Sequence, residues 1–266
     1  MLRFTKAHAY GNDFLYVRSD AMPDVPPGQL ARELCERHTG IGADGLIVYT
    51  PTADGAAMRL FNADGSRSEV SGNGVRGLAA ILLRNDVRLS ATVTIDTEAG
   101  VKRLTRTERA GSRQVFRAAM GLPEQLRLVS IDVDGEALRA AVMMFGNPQC
   151  VVLGALPDEA RFNRLGPALE QHSMFPDRTN VEFATVDTPD SVRILIWERG
   201  VGPTTSSGTG SCASLIAAAA FGGASKDATV TAPGGSQRVE WLADSVYLTG
   251  WVEVLFDGEW TRPVEP

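Results

Sequence analysis

Ser71-Gly72-Asn73-Gly74 opens the run Val75-Arg76-Gly77-Leu78-Ala79-Ala80-Ile81-Leu82-Leu83, and Ser207-Gly208-Thr209-Gly210 opens Ser211-Cys212-Ala213-Ser214-Leu215-Ile216-Ala217-Ala218-Ala219-Ala220. About half of the 266-residue chain separates the two copies. Each reads as a glycine-rich turn feeding an apolar helix, whose first N–H groups lack intrahelical partners and favour anions. Glycine at 72, 74, 208 and 210 is expected because a side chain would block an oxyanion from the backbone. Two such termini facing each other would hold one carboxylate between two hydroxyl-bearing residues. That geometry suits removing a proton from one face of a carbon and delivering one to the other.

The length allows one large core or two domains, and the repeat favours two. With 44% hydrophobic and 22% charged residues, the composition is that of a globular protein, without a disordered tract. A net charge of −6 and the lack of Lys/Arg clusters argue against a nucleic-acid surface. No segment approaches the roughly 20 apolar residues of a membrane helix, and the start, Met1 to His8, lacks the apolar stretch of a signal peptide. The expectation is a cytoplasmic protein with no membrane partner. Cys35, Cys150 and Cys212 are widely spaced and form no C-x-x-C pair, so they read as buried free thiols. His8, His38 and His172 are too scattered for a metal site: His8 reads as positioning a loop, the others as surface residues.

Leu2 to Val17 reads as a strand broken by the polar turn Gly11-Asn12-Asp13, and Gln29 to His38 has helical spacing. Strands are expected at 46–49, 57–62, 92–97 and 101–107. The second half repeats this grammar: strands at 140–145 and 150–153 around Gly146-Asn147-Pro148, a helix at 160–172, and strands at 181–186 and 192–198. After the second apolar helix come strands at 228–232, 237–241 and 246–256. Many strands with one central helix per half indicate an α+β fold of two similar lobes. The division reads as residues 1–114, completed by 250–266, and residues 115–249.

Polar turns surround the paired signatures: Gly11-Asn12-Asp13, Asn62-Ala63-Asp64, Gly146-Asn147-Pro148, Thr179-Asn180 and Glu198-Arg199-Gly200. Taken singly, each asparagine is a turn-former. Taken together, "AHAYGNDF", "GIGADGL", "FNADGS", "SGNGVRG", "FGNPQCV", "FPDRTNVEF", "WERGVGPT", "SGTGSCA" and "APGGS" stand in the order of the diaminopimelate epimerase family, which the chain resembles over nearly its whole length. The resemblance implies two pseudo-symmetric lobes, each a mostly antiparallel sheet wrapped around a central helix, with the site in the cleft between them. It also implies a homodimer, a place in lysine biosynthesis, and a reaction without pyridoxal phosphate or any other cofactor, in which one base and one acid invert a carbon α to a carboxylate. Carried over position by position, the distal amino-acid end of the substrate falls to Asn62, Asn147, Asn180, Glu198 and Arg199. The reacting carboxylate falls to the backbone of Gly72, Asn73, Gly208 and Thr209, with Asn12 beside the substrate. Arg199 offers a two-pronged donor to a carboxylate, and Glu198 can accept from an ammonium.

The departure lies in the reactive pair, Ser71 and Ser207, where the family has cysteine. A thiol near pKa 8.5 is readily lowered at a helix start. A serine hydroxyl is a far weaker acid, and a helix dipole supplies only about 0.3–2 kcal/mol, so a working Ser207 needs an adjacent base. Gln149 stands where the pattern has histidine, Gly45 where glutamine is frequent, and Pro203 where glutamate is usual. Three readings stay open. One is an amino-acid epimerase with Ser71 and Ser207 in the acid/base positions, its missing basicity supplied by a hydrogen-bond network, a water or Glu198. Another is an isomerase of the same scaffold using a carboxylate such as Glu69, Asp44 or Glu198, with Asp13 a further acid to weigh. The last is a non-catalytic descendant that binds an amino acid or metabolite, or a protein whose two cysteines were replaced by design.

Overall fold

Tyr10 and Gly11 both adopt left-handed backbone, with φ of 56° and 86°, and this pair turns β1 (Leu2–Ala9) back along β2 (Asn12–Arg18). The computed structural model describes residues 1–261; residues 262–266, the end of the expected 250–266 segment, lie outside the described residues. The chain divides into two units, one of residues 1–118 with the segment from Gly250 onward, the other of Ala119–Thr249.

In the first unit β2 is followed by α1 (Pro27–Cys35), β3 (Gly45–Pro51), β4 (Gly55–Asn62), the short β5 (Arg67–Ser68), α2 (Gly72–Leu82), β6 (Thr92–Thr97), β7 (Gly100–Ala110) and β8 (Arg113–Gly121). Pairing runs β1–β2 antiparallel, β2–β3 parallel, β3–β4 antiparallel, β4–β6 parallel and β6–β7 antiparallel. Side chains alternate across a strand, and here each face has its own helix. Tyr16 and Ile47 join α2's Val75, Leu78 and Ala79 in one core. Leu15, Val17, Leu46 and Val48 meet α1's Leu30, Ala31 and Leu34 in another.

The expected helix over 29–38 is displaced to 27–35. Proline is well placed in a first helical turn, where its missing N–H costs nothing, and Pro27 starts α1. The helix stops at Cys35 because Leu34 and Cys35 give their carbonyls to Ile41, Gly42 and Ala43 instead.

In the second unit come β9 (Glu124–Val133), β10 (Glu136–Met144), β11 (Pro148–Leu153), α3 (Glu159–Glu170), β12 (Asn180–Thr188), β13 (Ser191–Glu198), β14 (Gly202–Thr204), α4 (Gly208–Ala217), β15 (Asp227–Ala232), β16 (Gly235–Trp241) and β17 (Val246–Trp260). Its pairing order is the same: β10–β11 antiparallel, β11–β12 parallel, β12–β13 antiparallel, β13–β15 parallel and β15–β16 antiparallel. The alternation recurs too. Val181 and Phe183 face α3's Phe162, Leu165 and Leu169, whereas Ala184, Ile194 and Ile196 face α4's Cys212, Ala213 and Ile216. Residues 246–249 of β17 pair with β16, and residues 253–260 pair with β1.

The first signature helix is fixed from below. In α2, Tyr16 Oη donates to the Gly74 carbonyl at 3.0 Å, and a Cβ at Gly77 would run into that hydroxyl. Gly77→Ala is therefore expected to cost about 1–3 kcal/mol by overpacking, read as a lower denaturation midpoint with an unchanged slope. At the far end of α2 the buried Arg106 donates to the carbonyls of Leu83, Asp86 and Arg88 and to Gln114 Oε1.

Candidate active site

Ser71 and Ser207 occupy equivalent positions. Each is the N-cap of its helix, with extended backbone (φ −128°, ψ 123° and φ −138°, ψ 130°). The Ser71 Oγ accepts from the Gly74 N–H at 3.2 Å and the Ser207 Oγ from the Gly210 N–H at 3.1 Å. Serine is a favoured cap because its oxygen satisfies an otherwise orphaned donor of the first turn. Gly72, Asn73, Gly208 and Thr209 supply the remaining first-turn N–H groups.

The glycines at 74 and 210 are also required by the protein's own packing. A Cβ at Gly74 would lie 2.7 Å from Ile47 Cδ1, and one at Gly210 would lie 2.6 Å from the Glu182 carboxyl and 3.1 Å from Ser207 Oγ.

In the first unit a polar chain runs from the β1–β2 turn to the start of α2. Asn12 Nδ2 donates to Asp44 Oδ2 at 2.7 Å, and Asn12 Oδ1 accepts from Asn73 Nδ2 at 3.1 Å. Asn73 Oδ1 in turn accepts from the buried Arg76 guanidinium. Asp44 also takes the Asp13 N–H and the Arg37 guanidinium, and Lys6 pairs with Asp13 at 2.9 Å. Burial pushes the Asp13 carboxyl up, but the hydrogen bonds and charges of Lys6 and Arg37 prevail and hold it below the usual range. Asp13 is thus poorly suited to act as a base. Asp44 is committed to this network, and Glu69 is exposed. His8 positions a loop as expected, its Nδ1 accepting from the Gly11 N–H at 3.4 Å. Asn62 stands apart and exposed, its carboxamide donating to Ser66 Oγ at 3.0 Å.

The second unit brings more of the expected residues together. Asn180, at the start of β12, is buried; its Oδ1 accepts the Arg199 N–H at 3.0 Å and its Nδ2 donates to the Pro148 carbonyl at 3.3 Å. It therefore ties the Glu198-Arg199 turn to the Asn147-Pro148 turn. Arg199 is exposed, with Nη1 donating to the Asp177 carbonyl at 3.0 Å. Glu198 ends β13 beside the α4 cap. Burial raises its pKa, while the nearby Ser207 and Thr204 hydroxyls pull the other way and lose. A carboxyl near the Ser207 hydroxyl is the kind of group that can serve as the adjacent base a serine at this position needs.

Two glutamates of this unit went unread in the sequence. Glu182 sits in a run read only as a strand, yet it points inward onto α4 and is fully buried. Burial, reinforced by the charge of Glu198, drives its pKa well above the usual carboxylate range. Glu170, the last residue of α3, is 5% exposed. It accepts from the Trp197 indole at 2.8 Å and from the Gly200 N–H at 3.0 Å, bracketing Glu198 and Arg199. Its backbone carbonyl takes the Thr179 N–H at 3.2 Å, next to Asn180. Glu170→Ala would remove the acceptor of the Trp197 indole, the Gly200 N–H and the Arg178 guanidinium, at about 1–3 kcal/mol for the indole left unpaired. Chemical denaturation should show the loss of stability, and intrinsic fluorescence should report the released Trp197 indole.

Residues 4–124 and 141–255 match the family model described as diaminopimelate epimerase. The diaminopimelate epimerase of Desulforudis audaxviator is 41% identical to this chain, with 98% of the chain and 100% of that protein covered. That of Desulfovibrio desulfuricans is 37% identical, covering 97% and 98% respectively. Among solved structures, a predicted epimerase from Pseudomonas aeruginosa shares the fold at a TM-score of 0.73 and 16% identity, covering 99% of this chain and 100% of that one. A probable proline racemase from Agrobacterium radiobacter does so at 0.72 and 19%, covering 98% and 93%.

Proposed function

We propose, for a chain that belongs to the diaminopimelate epimerase family, that it inverts the α-carbon of diaminopimelate without pyridoxal phosphate, with Ser71 and Ser207 in the acid/base positions. The observation that carries the reading is the proximity of the raised Glu198 carboxyl to the Ser207 hydroxyl at the start of α4. Glu198 withdraws the Ser207 proton as Ser207 accepts one from the substrate carbon, so no free alkoxide has to form. Ser71, held by the Gly74 N–H, gives its proton to the carbon while a water in exchange with solvent replaces it, and in the reverse direction passes its proton to that water as it takes the one from the carbon.

The first-turn N–H groups of Gly72, Asn73, Gly208 and Thr209 are assigned to the reacting carboxylate, whose charge grows as the α-proton leaves. Asn62, Asn147, Asn180 and Arg199 are assigned to the distal amino-acid end, with Glu198 available to its ammonium and Asn12 holding the α2 start through Asn73. The repeated pairing order of the two units supports a lobe duplicated around one helix-start motif. On the family resemblance the reading extends to lysine biosynthesis, a homodimer and a cytoplasmic setting.

The test is α-proton exchange. Incubated in heavy water with LL- or meso-diaminopimelate, the protein is expected to incorporate deuterium at the α-carbon. Absence of exchange with either isomer sinks the reading. A second reading, in which Glu198 itself moves the proton, draws on the same raised carboxyl. The two part at Ser207→Ala, which abolishes exchange only if the hydroxyl takes part.

A further inference from the structure

Gln149 links a buried acid to a residue assigned to the substrate. One end of its carboxamide lies 2.5 Å from Asn147 Oδ1; the other lies 3.1 and 3.2 Å from the two Glu182 oxygens. Glu182 and Gln149 are 0% and 1% exposed, so water is not there to supply missing partners, and each buried polar atom has to be satisfied by its neighbours. An amide offers a donor at one end and an acceptor at the other. Only two arrangements satisfy the chain.

In the first, Glu182 carries a proton and its O–H donates to Gln149 Oε1. Gln149 Nε2 then donates to Asn147 Oδ1, and Asn147 keeps its N–H₂ for whatever binds it. In the second, Glu182 is ionised and accepts from Gln149 Nε2. Gln149 Oε1 then requires a donor, so Asn147 has to turn its N–H₂ inward and offer its carbonyl outward. The proton on Glu182 thus decides whether Asn147 presents a donor or an acceptor.

The surroundings favour the protonated arrangement. Glu182 faces α4, whose Gly210 allows the carboxyl to lie against the helix. The residues of α4 include no cation and one ionisable side chain, the buried Cys212. From β13 it meets Glu198, a like charge, and from β11 its neighbour is Cys150, a thiol pushed up by burial and by Glu182 itself. On α3, which packs on the opposite face of β12, Glu170 is occupied by Trp197 and Gly200.

We propose that Glu182 acts as a neutral acid that orients the Asn147 carboxamide through Gln149, so that Asn147 presents its N–H to the distal carboxylate of the substrate. Glu182 is a positioning residue in this scheme. The inference rests on the assignment of Asn147 to the distal end made above. Its sign with pH is definite. The donor-out form exists below the raised Glu182 pKa and is lost as pH rises through it, so affinity for a carboxylate-bearing ligand falls in that direction.

Two measurements test it. Infrared spectra of the wild type with carbon-13-labelled glutamate should show the carbonyl stretch of a protonated carboxyl at neutral pH, absent from Glu182→Gln. Binding of meso-diaminopimelate, followed by calorimetry as pH is raised through the Glu182 transition located by the infrared band, should weaken about tenfold in the wild type, the worth of one hydrogen bond to a charged group. Glu182→Gln, whose amide donates to Gln149 Oε1 at every pH, should bind like the neutral wild type and stay flat. Lysine, which lacks the second carboxylate, should show no such slope with either protein. An ionised Glu182 at neutral pH, or a binding slope that persists in Glu182→Gln, overturns the proposal. If the wild type binds no diaminopimelate, the epimerase reading falls, and the infrared band still decides whether Glu182 holds its proton.

Discussion

Replacing Ser71 and Ser207 together by cysteine is expected to raise the rate of α-proton exchange by about 10²–10⁴-fold, the range through which acid/base groups matched to neutral pH accelerate a reaction. The physical ground is the cap geometry. Each Oγ already receives an N–H from the third residue of its helix, at 3.2 and 3.1 Å, and lies at the positive end of the helix dipole. That environment adds about 0.3–2 kcal/mol of anion stabilisation, too little to ionise a hydroxyl. Applied to a thiol near pKa 8.5, the same shift leaves abundant thiolate at neutral pH. Rates should be read by deuterium incorporation for each single variant and for the pair, and the pair should exceed the product of the singles if both groups act on one carbon. No gain from the double variant would mean that these caps do not flank the reacting centre.

Glu198→Gln is expected to lower exchange by about 10²–10⁴-fold, because Ser207 would lose the carboxylate that accepts its proton. Glutamine keeps the size and the hydrogen-bonding reach of the side chain but cannot take up a proton. The pH profile sharpens the test. Burial raises the Glu198 pKa, and the carboxylate, not the acid, is the working form. Wild-type turnover should therefore be low in acid and climb with pH through that raised value. In Glu198→Gln the acid limb should vanish along with most of the rate. A variant that keeps the limb assigns it to another group. A variant that keeps the rate removes Glu198 from the proton path.

The elements most legible in the sequence were those with strong local signals. α2 and α4 were readable because a serine cap, a G-x-G and an apolar run agree. β6 matches its expected span, since Thr92 to Thr97 alternates between two turns. β8 and β9 were not read at all: their outward faces carry arginine, glutamate and glutamine among small residues, which masks the alternation. The family resemblance, carried by whole motifs, agrees with the matched family model.

The residues that the sequence hid are those defined by burial. Glu182 lies in the alternating run Asn180–Thr188, where a charged residue ordinarily marks the solvent face. Both faces of β12 are covered by helices, so the polar position points into protein instead. Glu170 looked like an acid at a helix end, and its partners Trp197 and Gly200 lie far along the chain. Gln149 read as the loss of a histidine; only its neighbours show what the amide connects.

β17 has a consequence for how the molecule is made. Its residues 253–260 pair with β1, so an early strand waits for a partner far downstream in the chain. On a ribosome the amino-terminal half must emerge with one edge of β1 unpaired while everything up to Trp251 is translated. Exposed strand edges invite association with other chains. Truncation before residue 253 would leave that edge permanently open, so nascent chains stalled there are the ones most in need of a chaperone.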